Sequence, residues 1–123
     1  MRAILGRAYY MLLPSDFKVW VYKEPTDMRK AINGLSQLVV EKWSDNPQSG
    51  ALYVFYNRAR DRIKVLYWHY NGFCLLHKRL ESGRFKLPTT SDNHFELSEH
   101  QLYRLLEGLH FLNKSEKVYD VFF

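Results

Sequence analysis

Five histidines, thirteen carboxylates and one cysteine are the groups in this 123-residue chain with the broadest chemical reach. Their spacing assembles none of the usual centres. His69, His77, His94, His100 and His110 include no HExxH, no His-x-His and no neighbouring cysteine pair, so the signatures that hold zinc or the divalent cation of a strand-nicking enzyme are missing. Two-metal hydrolysis needs several acids converging on one site. Asp27, Asp61 and Glu81 fall on different segments, and Asp27 and Asp61 read better as a helix-start and a turn residue. Gly34, Gly50, Gly72 and Gly83 are isolated and form no phosphate loop, and no GxSxG is present. Tyr53, Tyr67 and Tyr70 are nucleophiles by residue type alone. The expectation is no catalytic residue, no metal and no cofactor: a protein that is not an enzyme.

What the sequence concentrates instead is positive charge. Residues 58–86 hold eight basic side chains, Arg58, Arg60, Arg62, Lys64, Lys78, Arg79, Arg84 and Lys86, against Asp61 and Glu81 only, a local charge of +6. The rest of the chain carries ten basic and eleven acidic residues, so the whole surplus behind the net charge of +5 lies on this one stretch. Lysine and arginine on a strand pair can neutralise backbone phosphates, and an adjacent aromatic can stack on a base. A two-residue Asn71-Gly72 turn would set Lys64 opposite Arg79. A three-residue turn ending at Gly72 would set it opposite Lys78. Either pairing places like charges face to face, which is unfavourable until an anion sits between them. Arg58, Arg60, Arg62, Lys64, Lys78, Arg79 and Arg84, with Trp68 for stacking, are the candidate nucleic-acid contacts. The competing reading is a solvated sheet face whose cations discourage edge aggregation.

The elements that must carry these residues can be read from periodicity. Phe17 to Tyr22 is β-branched and aromatic and reads as a strand, closed by Glu24-Pro25. Thr26 is placed to cap a helix with Asp27 in its first turn, and Met28, Ile32, Leu35 and Val39 give that helix an apolar stripe reaching about Trp43. A turn-rich loop over 44–50 follows, then strand runs at 51–56, 62–69 and 73–80, with Asn71-Gly72 as a hairpin signal. Residues 83–88 read as a further extended piece, and Thr89-Thr90-Ser91-Asp92-Asn93 as a loop. Ser98 and Gln101 have capping-box spacing ahead of Leu102, Leu105, Leu106 and Leu109, a second helical stripe.

The predicted fold class is therefore α+β: one domain over 17–112, an antiparallel sheet of four to five strands with two helices packed on one face. Residues 1–16 read as an extension, with Met11 as an alternative start, and 113–123 as a tail. A hydrophobic fraction of 46% supports one core at this length. A lone Cys74 offers no internal disulfide, and no apolar run approaches the roughly 20 residues of a membrane span. The expected location is the cytoplasm.

Thr26-Asp27-Met28-Arg29-Lys30 followed by Gly34-Leu35 resembles the opening of a known family, the small accessory proteins of insertion-sequence-sixty-six-type transposons. The resemblance continues through Ser49-Gly50 into Leu52-Tyr53-Val54-Phe55, then Asp61-Arg62-Ile63-Lys64-Val65-Leu66-Tyr67-Trp68. Asn71-Gly72-Phe73-Cys74-Leu75, Lys78-Arg79-Leu80-Glu81, Gly83-Arg84-Phe85 and Pro88 complete ordered blocks spanning about residues 19–109. This second open reading frame product is often called TnpB, a name shared with a longer RNA-guided nuclease that nothing here resembles. The resemblance implies an accessory protein required for transposition of a bacterial insertion sequence, with no established enzymatic activity. It implies as partners a separate transposase and a small helix-turn-helix-like protein of the same element. The basic hairpin adds DNA at the transposon ends as an expected partner, and no membrane or small-molecule substrate is expected. Two tasks fit: non-catalytic DNA binding through the basic hairpin, or an adaptor that docks the transposase or its helix-turn-helix partner through Arg29, Trp20 and Trp43 without binding DNA itself. Thr26, Asp27, Met28 and Arg29 carry over as the most recognisable stretch, with Thr26 and Asp27 expected to start the helix, Met28 to pack, and Arg29 to reach a partner.

Overall fold

A computed structural model describes residues 17–87 and 94–109. The expected extension over 1–16, the loop over 89–93 and the tail over 113–123 lie outside the described residues. In chain order the elements are β1 (Val19–Tyr22), α1 (Ile32–Leu38) running into a π-helical turn (Val39–Trp43), β2 (Leu52–Tyr56), β3 (Arg62–His69), β4 (Gly72–Arg79), β5 (His94–Leu97) and α2 (Glu99–Leu106). One five-stranded sheet has the order β4-β3-β2-β1-β5. The α+β class and the mostly antiparallel sheet agree with the sequence. β1 and β2 are the exception, since they pair in parallel, Val19 with Leu52 and Val21 with Val54. Adjacent parallel strands need a crossover, and α1 is that crossover.

The helices lie on opposite faces, not on one. Leu52, Val54, Ile63 and Val65 point to a core with Leu102, Leu105 and Leu106 of α2. Tyr53, Phe55 and Leu66 point the other way, to Leu35 and Val39 of the first helical segment. The cause is the composition of β2. Leu-Tyr-Val-Phe-Tyr has no polar alternation and every residue of it is buried, so both of its faces demand cover.

Two further expectations shift. Residues 83–87 form no strand; Phe85 is buried and donates its N–H to the Arg60 carbonyl. The fifth strand is instead His94–Leu97, antiparallel to β1. α2 matches its sequence signal closely: Ser98 accepts from the Gln101 N–H and the Gln101 side chain accepts from the Ser98 N–H.

The β3–β4 hairpin turns one residue early. His69 pairs with Gly72, leaving Tyr70 and Asn71 as the turn, so Lys64 faces His77 and Arg62 faces Arg79. Neither anticipated register occurs. The observed one sets an imidazole opposite the buried Lys64, where the Asn71-Gly72 turn would have set a second cation. It also brings Trp68 and Phe73 edge to face at 5.0 Å. The cost falls on Tyr70, which takes a φ of +62° in a tight turn where the Asn71 N–H donates to the His69 carbonyl at 2.6 Å. Tyr70 is 88% exposed, so its side chain recovers little by packing. Tyr70→Gly should raise stability by about 1 kcal/mol, read from the urea midpoint. An unchanged or lower midpoint would show that the turn is not strained.

Candidate nucleic-acid interface

Residues 26–30 form the first wall of the site, and they are not helical. Asp27 accepts the Arg29 backbone N–H at 2.9 Å, and the Lys30 N–H donates to the Asp27 carbonyl at 3.1 Å. These local bonds close a turn in place of a first helical turn, the usual way an aspartate competes with helix. Thr26 is buried and donates its N–H to the Tyr56 carbonyl, so it extends the β2 end and caps nothing. α1 begins only at Ile32, with Ala31 at its N-cap. Met28 packs against the core below α1, as its position in the stripe suggests.

Beneath this turn lies Lys64. Its ammonium donates to the Met28 carbonyl and the Lys30 carbonyl, each at 2.8 Å, and the residue is only 7% exposed. A lysine expected on the phosphate-contacting surface is therefore a strut. The turn uses it to hold Asp27 and Arg29 outward. Asp27 completes the arrangement with a two-pronged pair, receiving Arg29 Nε at 3.0 Å and Nη2 at 2.6 Å. Both groups face water, the Arg29 side chain 91% exposed. The Arg29 hydrogen bonds, side chain first and then backbone, hold the Asp27 carboxyl down to about 2 from its usual 3.8. A group with a depressed folded value contributes stability above its unfolded value, and that contribution fades as pH falls from 3.8 towards 2. An NMR titration of Asp27 should show a midpoint near 2; a midpoint at 3.8 would mean that Arg29 is not held.

The second wall is the β2–β3 loop. Asn57 organises it: its side chain accepts the backbone N–H of Asp61 and Arg62 at 3.0 Å each and donates to the Asp61 carboxylate at 2.7 Å. Arg60 occupies the left-handed region at φ +62°. The two walls enclose an open cleft of about 590 Å³ lined by residues 25–29, by Asn57, Arg58, Ala59 and Arg62, and by His77 from β4. Three arginines, Arg29, Arg58 and Arg62, meet there, and the sole carboxylate on the lining is Asp27, already engaged with Arg29. His77 sits on the sheet face that carries Arg62, Lys64 and Arg79. Partial desolvation, then the charges of Lys64, Arg62 and Arg79, push its imidazole below the usual 6.5, although much of the ring meets water.

The other candidates are dispersed. Lys78 is on the opposite face, donating to the Leu106 carbonyl at 2.7 Å, where a cation favours the C-terminal end of α2. Arg79 pairs with Glu81 at 3.3 Å. Arg60 and Arg84 are exposed on loops outside the cleft lining. Trp68 is at the far end of the hairpin, half-buried against Phe73, roughly 20 Å along β3 from Arg62 at the usual strand rise. Trp43 is half-buried among Tyr22, Tyr53, Phe55 and His94, and Trp20 meets His94 edge-on at 5.3 Å. Of the three adaptor candidates, Arg29 is the one that projects. Burial pushes the Tyr53 and Tyr67 hydroxyls up to about 12, which keeps both protonated. Among the described residues no three His, Cys, Asp or Glu side chains gather to hold a metal, and no helix is long and apolar enough to cross a membrane.

The sequence missed His77 and the turn. His77 would have required the hairpin register, which the apolar residues on both faces of β4 do not settle.

A small α+β domain with an arginine-lined cleft at one end of its sheet is the class this structure defines. The chain belongs to the IS66 Orf2 like protein family, which matches residues 17–116. Its relatives include two proteins of Sinorhizobium fredii (strain NBRC 101917 / NGR234), known as uncharacterized proteins y4jC and y4hO. The first is 34% identical over 100 residues, covering 80% of this chain and 86% of the relative. The second is 36% identical over 107 residues, covering 85% and 93%. No solved structure matches. Membership of the family makes this an accessory protein of an insertion-sequence transposition system.

Proposed function

We propose that this accessory protein binds DNA non-catalytically, gripping the phosphate backbone in the cleft between the 25–29 turn and the β2–β3 loop. The supporting observation is the convergence of Arg29, Arg58 and Arg62 on one open cleft whose only carboxylate is committed to holding Arg29. Guanidinium groups offer paired donors that match phosphate oxygens. Arg79 flanks the cleft on the same sheet face and adds long-range attraction. Such contacts position a protein on DNA without reading sequence. The DNA is that of the transposon ends, and the transposase and second accessory protein of the element are the protein partners.

The test is fluorescence anisotropy of the full chain with element-end and scrambled duplexes across several salt concentrations. Binding that weakens steeply with salt supports the reading. An absence of binding at low salt would refute it and leave the adaptor role, with the exposed Arg29 as its contact to the transposase.

A further inference from the structure

The hairpin register places His77 where a phosphate in the cleft would meet it. It lies directly across from Lys64 on the face shared with Arg62 and Arg79, and it lines the cleft beside Arg58 and Arg62. Lys64 cannot serve there, because its ammonium is turned to the Met28 and Lys30 carbonyls. In the row formed by Lys64 and His77, the imidazole is thus the polar group left facing the cleft. It makes no hydrogen bond among the described residues. Core packing does not require it either, since Phe73 and Leu75 already supply the apolar contacts of that face of β4.

We propose that His77 is a direct ligand of the phosphate seated in the cleft, alongside Arg29, Arg58 and Arg62, and that it takes up a proton as the phosphate binds. This rests on the DNA-backbone reading and names the group that makes the contact pH-dependent. The charges around the ring set the direction. Lys64 and Arg62 approach from β3, Arg79 from β4, Arg58 from the β2–β3 loop, and Arg29 with Asp27 from the turn across the cleft. Asp27 is engaged by Arg29 and Glu81 by Arg79, while Asp61 acts on Arg62 and Arg79 from the β2–β3 loop, so at the ring the cations prevail. The empty cleft therefore favours neutral imidazole, in line with its lowered proton affinity. A phosphate within about 4–6 Å reverses the balance by favouring the charged ring. Proton uptake and phosphate binding then strengthen one another, each by the same factor.

The experiment follows the His77 ring by NMR from pH 5 to 8 in the full-length protein, alone, with inorganic phosphate and with a short duplex. The expected result is an upward shift of the His77 midpoint by roughly half a unit or more with either ligand. In parallel, duplex affinity should be about two- to threefold tighter at pH 5.5 than at pH 7.5, the most a half-unit shift supplies. His77→Gln should remove most of that gain. The remaining histidines are common to both proteins, so the difference isolates His77. A midpoint unmoved by both ligands overturns the proposal even if DNA binds through Arg58 and Arg62. A midpoint moved by inorganic phosphate but not by duplex sustains His77 as a phosphate ligand and removes DNA as its source. An H77Q protein that binds duplex with an unchanged pH profile also overturns the proposal.

Discussion

Lys64→Met is expected to lower stability by about 2 kcal/mol and to weaken DNA binding together, although its ammonium does not line the cleft. The buried ammonium makes two hydrogen bonds at 2.8 Å, to the carbonyls of Met28 and Lys30. Bonds from a charged donor contribute about 1.5–3 kcal/mol each, and water can partly replace them here because Lys30 is exposed. Methionine keeps the apolar stem and loses both bonds, so the cost comes from the released turn and not from a cavity. That turn carries Asp27 and Arg29, and its release should lower DNA affinity several-fold. Urea unfolding gives the stability, and anisotropy gives the affinity. The decisive comparison is the double variant with Arg29→Ala. If Lys64 acts by holding Arg29, its effect on affinity should largely vanish once Arg29 is gone. Fully additive losses would show that Lys64 contacts the DNA itself or that the turn is held by other means.

Lys64 also marks where sequence reading stops. The strands β2 and β3 and the α2 capping box are visible because short runs of β-branched and aromatic residues and a paired Ser-Gln cap are local signals. The concentration of charge on residues 58–86 is equally plain. Which of those cations meet solvent is not, because that depends on strand register and on the layer above the sheet. Lys64 alternates with Arg62 and reads like it, yet the 26–30 turn covers one and leaves the other beside the cleft. Lys78 differs from Arg79 by one position and therefore by one face of the sheet. The turn itself was hidden by a good helical stripe. Met28 occupies its place in that stripe and packs accordingly, while Asp27 and Lys64 draw the backbone of 26–30 out of helix. Asn71-Gly72 misled for a related reason. It is the better turn dipeptide, but the pairing of β3 with β4 over eight residues each outweighs the strain at Tyr70.

Arg58→Ala with Arg62→Ala is expected to have the largest effect on DNA binding, a loss of roughly ten- to a hundredfold at low salt for every duplex alike. Both residues line the cleft from the second wall, and among the described residues neither makes an ion pair with a carboxylate within 4.0 Å. Two lost phosphate contacts should reduce the log–log salt slope by about 1.8, since each contributes about 0.9 on duplex DNA. The slope separates a direct role from a structural one: a misfolded fraction lowers the apparent affinity and leaves the slope where it was. Stability should change little, because both guanidinium groups are at the surface of a loop and strand end whose geometry is set by Asn57. Arg60→Ala with Arg84→Ala is the matched control. It removes the same charge from loops outside the cleft lining and should shift the slope far less. Equal losses from the two pairs would mean that net charge and not the cleft attracts DNA. An intact slope in the Arg58 and Arg62 variant would place the interface elsewhere on the protein.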